Sequence, residues 1–200
     1  MRRAFKRLGA RGLLILLLPF MGCRSPCPPV QALDLVCNEA MLPSGWSLRD
    51  RFSAAGDRHV LEDQRARDFA GAGFALCTPP SAEKECQVGH PSAGHVVWDL
   101  GNGLWAFLEF RQQVRAVPET LDEEPVGLQY QSPWADRFRV QCSRVPLDPP
   151  GCIDCSAVAQ YGKYVWAFGA SVGTGCMTSS EFDATVAAID RAVACRLCRD

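Results

Sequence analysis

Apolar and polar positions are patterned most clearly between residues 95 and 110, where two apolar runs flank the dipeptide Asn102-Gly103. Asn-Gly is a preferred centre for a two-residue hairpin turn, because both turn positions need positive φ. Centring the turn there predicts a hairpin pairing Leu100 with Trp105, Trp98 with Phe107 and Val97 with Leu108. Side chains alternate along a strand, so Leu100, Trp98, Trp105 and Phe107 are expected on one face. Extended runs are also predicted at 164–168, after the turn signal Tyr161-Gly162-Lys163, and at 138–142, with a weaker candidate at 127–130. Near the C-terminus the period changes. Thr178-Ser179-Ser180-Glu181 matches a capping box, in which Thr and Glu satisfy each other's backbone donors. Phe182, Val186, Ile189, Val193 and Leu197 then recur in steps of four and three. That stripe predicts a helix over about 179–196 with its apolar face on a sheet. A second helix is expected within 59–69. Trp105-Ala106-Phe107 recurs as Trp166-Ala167-Phe168, and Val97/Val158 and Gly101/Gly162 match at the same 61-residue offset. Two similar hairpins, or chance likeness between apolar strands, would each account for it. The expected fold is α+β: an antiparallel sheet with helices on one face, the C-terminal amphipathic helix packed on it, and disulfides stabilising the whole.

The N-terminus follows another logic. Arg2, Arg3, Lys6, Arg7 and Arg11 precede an apolar run, 12–21, that ends in Phe20-Met21-Gly22-Cys23. A basic region, an apolar stretch of about ten residues and a small residue before a cleavage point describe an export signal. Such a stretch is too short to span a bilayer, which takes roughly 20 apolar residues. Phe20-Met21-Gly22-Cys23 resembles the lipobox of bacterial lipoproteins, with Phe20 where that family usually has Leu and Met21 where it has a smaller residue. The resemblance implies cleavage after Gly22, lipidation of Cys23 and a membrane partner reached through the lipid. Arg24, rather than Asp, after that cysteine resembles the pattern that sorts such proteins to the outer membrane. Arg2-Arg3-Ala4-Phe5-Lys6 loosely resembles a twin-arginine signal but lacks the full motif. The chain then divides into a signal peptide, 1–22, an anchor and short tether, 23–30, and one disulfide-rich domain, 31–200.

Cysteine counting agrees with that division. Of 11 cysteines, removing Cys23 leaves ten: Cys27, Cys37, Cys77, Cys86, Cys142, Cys152, Cys155, Cys176, Cys195 and Cys198. An even number suits full oxidation in an oxidising envelope, giving up to five disulfides. Cys77 with Cys86 is the most local pairing expected. Charge changes as well. The whole chain has 21 basic and 22 acidic residues, and loss of 1–22 removes five basic ones and no acidic one, leaving about −6. An acidic domain lacks the basic stripe expected for nucleic acid, so no nucleic-acid partner is expected. Net charge also argues against electrostatic adhesion to anionic lipid.

No motif identifies a reaction. Gly169-Ala170-Ser171-Val172-Gly173 fits G-x-S-x-G and resembles the nucleophile elbow of a hydrolase family. That family orders its triad Ser, acid, His, whereas His59, His90 and His95 all precede Ser171. Cys152-Ile153-Asp154-Cys155 and Cys195-Arg196-Leu197-Cys198 are both C-x-x-C. Together they would offer four thiolates to zinc; alone, Cys152 and Cys155 would be a redox pair, with Cys195 and Cys198 as the fallback. Oxidised, structural cysteines are the expectation, with no metal and no cofactor. Cys86, His90, His95 and Asp99 lie close enough in sequence to meet one metal, although a surface loop explains them. Trp98, Trp105 and Phe107, with Trp166 beside them, form either core or a surface for an apolar or glycan ligand. Asp122-Glu123-Glu124 is expected to be a solvated loop. Two functions follow as expectations: a non-catalytic envelope lipoprotein that binds a protein or ligand near the membrane, or a thiol–disulfide oxidoreductase using Cys152 and Cys155.

Overall fold

A computed structural model of the protein describes residues 29–53, 66–76, 91–116, 127–143 and 151–199. In chain order they form β1 (Trp46–Ser53), β2 (Asp68–Leu76), β3 (Ser92–Asp99), α1 (Gly103–Ala116), β4 (Arg137–Ser143), β5 (Cys152–Tyr161), β6 (Tyr164–Gly173) and α2 (Ser179–Arg196). Short 3-10 turns at Ala32–Leu35 and Glu39–Met41 precede them. The strands make one antiparallel sheet in the order β1-β2-β3-β6-β5-β4. The α+β class expected from the sequence is the class observed. The helices, however, lie on both faces of the sheet instead of one.

Strand alternation sorts the two faces. Ala157, Ala159, Trp166, Phe168, His95 and Val97 point one way, in cross-strand register, and α2 lays Phe182, Val186, Ile189 and Val193 over that face, forming the main core. The capping box at Thr178 and Glu181 is formed, and α2 spans the predicted residues. Val158 and Val165 point the other way, where they meet Ala106, Phe110 and Val114 of α1.

The predicted hairpin at 95–110 is where sequence pattern and structure part. β3 runs to Asp99, but Asn102 begins a helix: its Oδ1 accepts the backbone N–H of Leu104 and of Trp105, at 3.0 Å each. Asn is as good an N-cap as a turn former, and the residues after it decide. Ala106, Phe110 and Val114 follow the helical period, and the intervening Leu, Glu, Arg and Gln are strong helix formers. Trp105-Ala106-Phe107 is therefore helical and Trp166-Ala167-Phe168 extended, so the two are not copies of one hairpin. The weak strand at 127–130 is irregular chain, and Phe69, the end of the expected second helix, belongs to β2; residues 59–65 lie outside the described residues.

Two polar devices sit in the main core. Asp190 on α2 is fully buried and accepts hydrogen bonds from the hydroxyls of Tyr130, at 2.8 Å, and Tyr161. Burial, and then the carboxylate itself, push both tyrosine pKa values up, so both hydroxyls stay protonated and donate. His95 on β3 is also fully buried. Its Nδ1 accepts the backbone N–H of Cys37 at 2.9 Å, which assigns the ring proton to Nε2. Nε2 finds no acceptor among the described residues. The ring meets Trp166 edge-on with centroids 5.7 Å apart, and burial holds its pKa down at about 3.

Candidate functional site

Beyond the last turn of α1 the sheet face beneath it carries almost no side-chain bulk. Gly94 pairs with Gly169, and Gly169 with Ser156, in one row across β3, β6 and β5. In the next row Asp154 lies between Ser171 and Ser143. The result is a groove of about 290 Å³, floored by Gly94 and Gly169, walled by Ser92, Ser143, Asp154 and Ser156, with Ala116 at its rim. That size is near the lower end of small-molecule sites, roughly 300–1,000 Å³. Among the described residues, a Cβ at Gly94 or Gly169 would approach only a backbone oxygen, at 3.9 and 3.7 Å respectively. Neither glycine is required by backbone strain; their lack of side chains is what opens the groove. Gly73 continues the row beyond Gly94, and the Asp50 side chain lies over it, closing that end.

The groove is lined by hydrogen-bond acceptors. The Asp154 carboxylate faces it, held by the Ser171 hydroxyl, which donates to Oδ1 at 3.2 Å. The carbonyl end of α1 ends at its rim. The last four helix carbonyls lack intrahelical partners and carry about half a negative charge together; that of Gln113 takes the Gln141 side-chain amide at 3.4 Å. Among the described residues no Lys, Arg or His lines the groove, and serine hydroxyls accept or donate as a ligand demands. The arrangement suits a small ligand with several N–H or O–H donors.

The residues singled out in the sequence are distributed differently from expectation. Cys152 and Cys155 are not bonded to each other. Three apart on β5, they point to opposite faces. Cys142 bridges to Cys155, its cross-strand partner, and Cys152 bridges to Cys176. This redox pair is thus two halves of two structural bridges. Full oxidation of ten cysteines is corrected too, since Cys37 and Cys195 are free thiols. Cys37 is buried, and burial pushes its thiol pKa up to about 12; Cys195 is exposed. Cys198 is disulfide-bonded, so the fallback pair Cys195/Cys198 is not a dithiol either. Cys23, Cys27, Cys77, Cys86, His59, His90 and Asp122-Glu123-Glu124 lie outside the described residues. Of the residues near His90 that lie close enough in sequence to meet one metal, His95 is turned into the core and Asp99 pairs with Lys163 at 2.5 Å. No group of three His, Cys, Asp or Glu side chains among the described residues is placed to hold a metal.

Trp98, Trp105 and Phe107 do not form one aromatic surface. Trp98 packs on Phe69 with centroids 5.9 Å apart. Phe107 is flanked by the guanidinium groups of Arg111 and Arg137, at 5.6 and 4.6 Å from its centroid. Trp105 is 42% exposed on α1, and Trp166 is buried on the opposite face of the sheet. The helix at 103–116 separates them. Ser171, the centre of G-x-S-x-G, lies within β6 rather than on an elbow, and His95 is across the sheet. The groove itself was missed. Its signal was the small residues on one parity of β5 and β6, namely Asp154, Ser156, Gly169 and Ser171, a pattern that gains meaning only once the register is known.

No known protein family matches the chain, and no curated protein matches it. Among solved structures, the extracellular domain of PknH from Mycobacterium tuberculosis matches with a TM-score of 0.43 and 10% identity, over 83% of this chain and 98% of that one. A likeness at that level carries no argument about this protein, and the groove stands on its own geometry.

Proposed function

We propose that the protein is an exported, non-catalytic binding module, held at the outer membrane by lipid on Cys23, whose groove takes a small donor-rich ligand such as an amino sugar. The observation that carries the ligand reading is the acceptor-lined groove over Gly94 and Gly169, with Asp154 beside it. The carboxylate favours an ammonium group, and the serine hydroxyls suit a sugar's hydroxyls. Export is supported by the basic and apolar N-terminal pattern and by bridges such as Cys142–Cys155, which persist in oxidising compartments. The lipid rests on Phe20-Met21-Gly22-Cys23 alone.

Titration with glucosamine, followed by NMR chemical shifts, tests the ligand reading. Gly169→Val should fill the groove and abolish binding. It should leave stability unchanged or raised, because a β-branched residue suits a strand better than glycine does. Equal glucosamine binding by the variant, or no binding by the parent protein, would remove this ligand from the groove. Intact mass of membrane-purified protein, alkylated without reduction, tests the anchor and the thiols together. We expect a lipid adduct on Cys23, label on Cys195, and label on Cys37 only after unfolding. A mass without lipid ends the lipoprotein reading, and native labelling of Cys37 contradicts its burial.

A further inference from the structure

We infer that the outer face of α1 lies on an anionic phospholipid surface, so that the domain has a second membrane contact besides its N-terminus. Among the described residues, five large hydrophobic side chains are exposed, and three of them stand on the first two turns of this helix: Leu104 at 67%, Trp105 at 42% and Leu108 at 37%. The other exposed positions further along α1 are Arg111, Gln112, Arg115 and Ala116. At 100° per residue Leu104, Leu108, Arg111 and Arg115 fall within one stripe, with Trp105 and Gln112 on its flank. The only acid of the helix, Glu109, is buried and accepts the Gln113 amide at 2.6 Å. Exposed Arg137 and Arg139 of β4 extend the basic area, Arg137 reaching the helix over Phe107.

Apolar side chains with Trp at one end, arginines at the other and no exposed acid describe a helix that lies in a bilayer interface. Its arginines would meet lipid phosphates, for which their planar fork is suited. Among the described residues Asp99 is paired with Lys163 and Asp136 with Arg199, while Asp154 lies in the groove beyond the last turn of α1. The net charge of about −6 spoke against such adhesion, but net charge says nothing about where charge sits.

The exposed arginines favour a phospholipid surface as the occupant, and the tether leaves from the sheet end at which α1 begins, a point that rests on the lipid-anchor reading. Val30 is fixed by the Tyr164 hydroxyl, which donates to its carbonyl at 2.7 Å. Tyr164 opens β6 beside the Gly162-Lys163 turn, and that turn touches the start of α1: Leu100 N–H donates to the Lys163 carbonyl, and the Gln160 amide bridges the carbonyls of Gly103 and Gly162. The chain from Cys23 to Val30 spans at most about 25 Å when extended. Val30 packs on the α2 side of the sheet, so a lipid on Cys23 would bring the sheet end that carries Leu104 and Trp105 within that distance of the bilayer without choosing between the two faces.

The test uses full-length protein with vesicles containing phosphatidylglycerol with brominated acyl chains, which quench tryptophan at the interface. Trp46 and Trp166 are buried and Trp98 and Trp134 half-buried, so Trp105 should give the largest single share of the effect. We expect at least twofold less quenching in Trp105→Phe. Replacing phosphatidylglycerol with phosphatidylcholine, or introducing Arg111→Glu with Arg115→Glu, should have the same effect, with thermal unfolding unchanged in the variants. Full-length Cys23→Ala separates the two readings, because quenching that survives there places the helix on lipid whatever becomes of the anchor. Protein that sediments with vesicles but shows equal quenching with and without Trp105 overturns the docking and leaves the anchor intact. Shielding of Trp105 that rises with protein concentration in the absence of vesicles overturns it in favour of a second copy.

Discussion

Replacing Asp190 with alanine is expected to destabilise the fold by about 2 kcal/mol, because it strands the buried Tyr161 hydroxyl, at roughly 1–3 kcal/mol for a buried group left without a partner, and takes the partner from the half-buried Tyr130. Asp190 is fully buried on α2. It joins that helix to Tyr161 at the end of β5 and to Tyr130 in the irregular chain before β4. Both tyrosines are kept protonated by burial and by the carboxylate, so the interaction has no alkaline escape near neutral pH. In urea unfolding at pH 7, Asp190→Ala should lose the most and Asp190→Asn, which keeps one acceptor, less. Tyr161→Phe combined with Asp190→Ala should cost less than the sum of the two, since they share one bond. A loss under about 1 kcal/mol for Asp190→Ala would show that water or rearrangement replaces the carboxylate.

Acid should unfold the protein through His95. The imidazole takes its proton near 6.5 when free and only near 3 in the fold, because burial disfavours the cation. Between those values the unfolded chain binds a proton that the native one does not, so stability falls as pH falls. The contribution is complete above pH 6.5 and is lost progressively below it, at roughly 1 kcal/mol per pH unit, or roughly 3 kcal/mol by pH 4. His95→Asn keeps an acceptor for the Cys37 N–H without a titrating ring. It should be less stable than the parent at pH 7 yet show a pH 7 to pH 4 loss smaller by about that amount. Carboxylate titration is common to both proteins and cancels in the comparison. Identical acid slopes in the two would mean that His95 is not the group responsible.

How far the fold was legible depended on what local sequence can carry. α2 was predicted in full because its capping box and five-residue stripe act within the helix itself. β4 and β6 were recognised because Phe138–Val140–Cys142 and Tyr164–Trp166–Phe168 place large side chains on one parity. β2 and β5 were not, and the reason is visible in β2. Its Gly71 and Gly73 leave room for Phe52 and Asp50 of β1, so the bulk that completes the strand's surface belongs to its neighbour. α1 was mistaken for the second arm of a hairpin, because Asn102-Gly103 fits a turn and a helix start equally well. Val158 and Val165, distant in sequence, supply the surface that selects the helix.

By itself the sequence determined the α+β class, the C-terminal helix and its cap, and the small-residue composition of the strands that floor the groove. These depend on periodicity, backbone propensity and side-chain size, all of which act within a few residues. The tertiary structure alone decided which cysteines meet, where α1 lies, and that Gly94, Gly169, Ser156 and Asp154 share one open acceptor-lined surface. Each of those follows from strand order and register, which are set by pairing residues far apart in the chain. Cys152 and Cys155 show the difference most directly. Three residues apart, they look like a pair, but a strand turns them to opposite faces, and register gives Cys155 to Cys142 while the end of β6 brings Cys176 to Cys152.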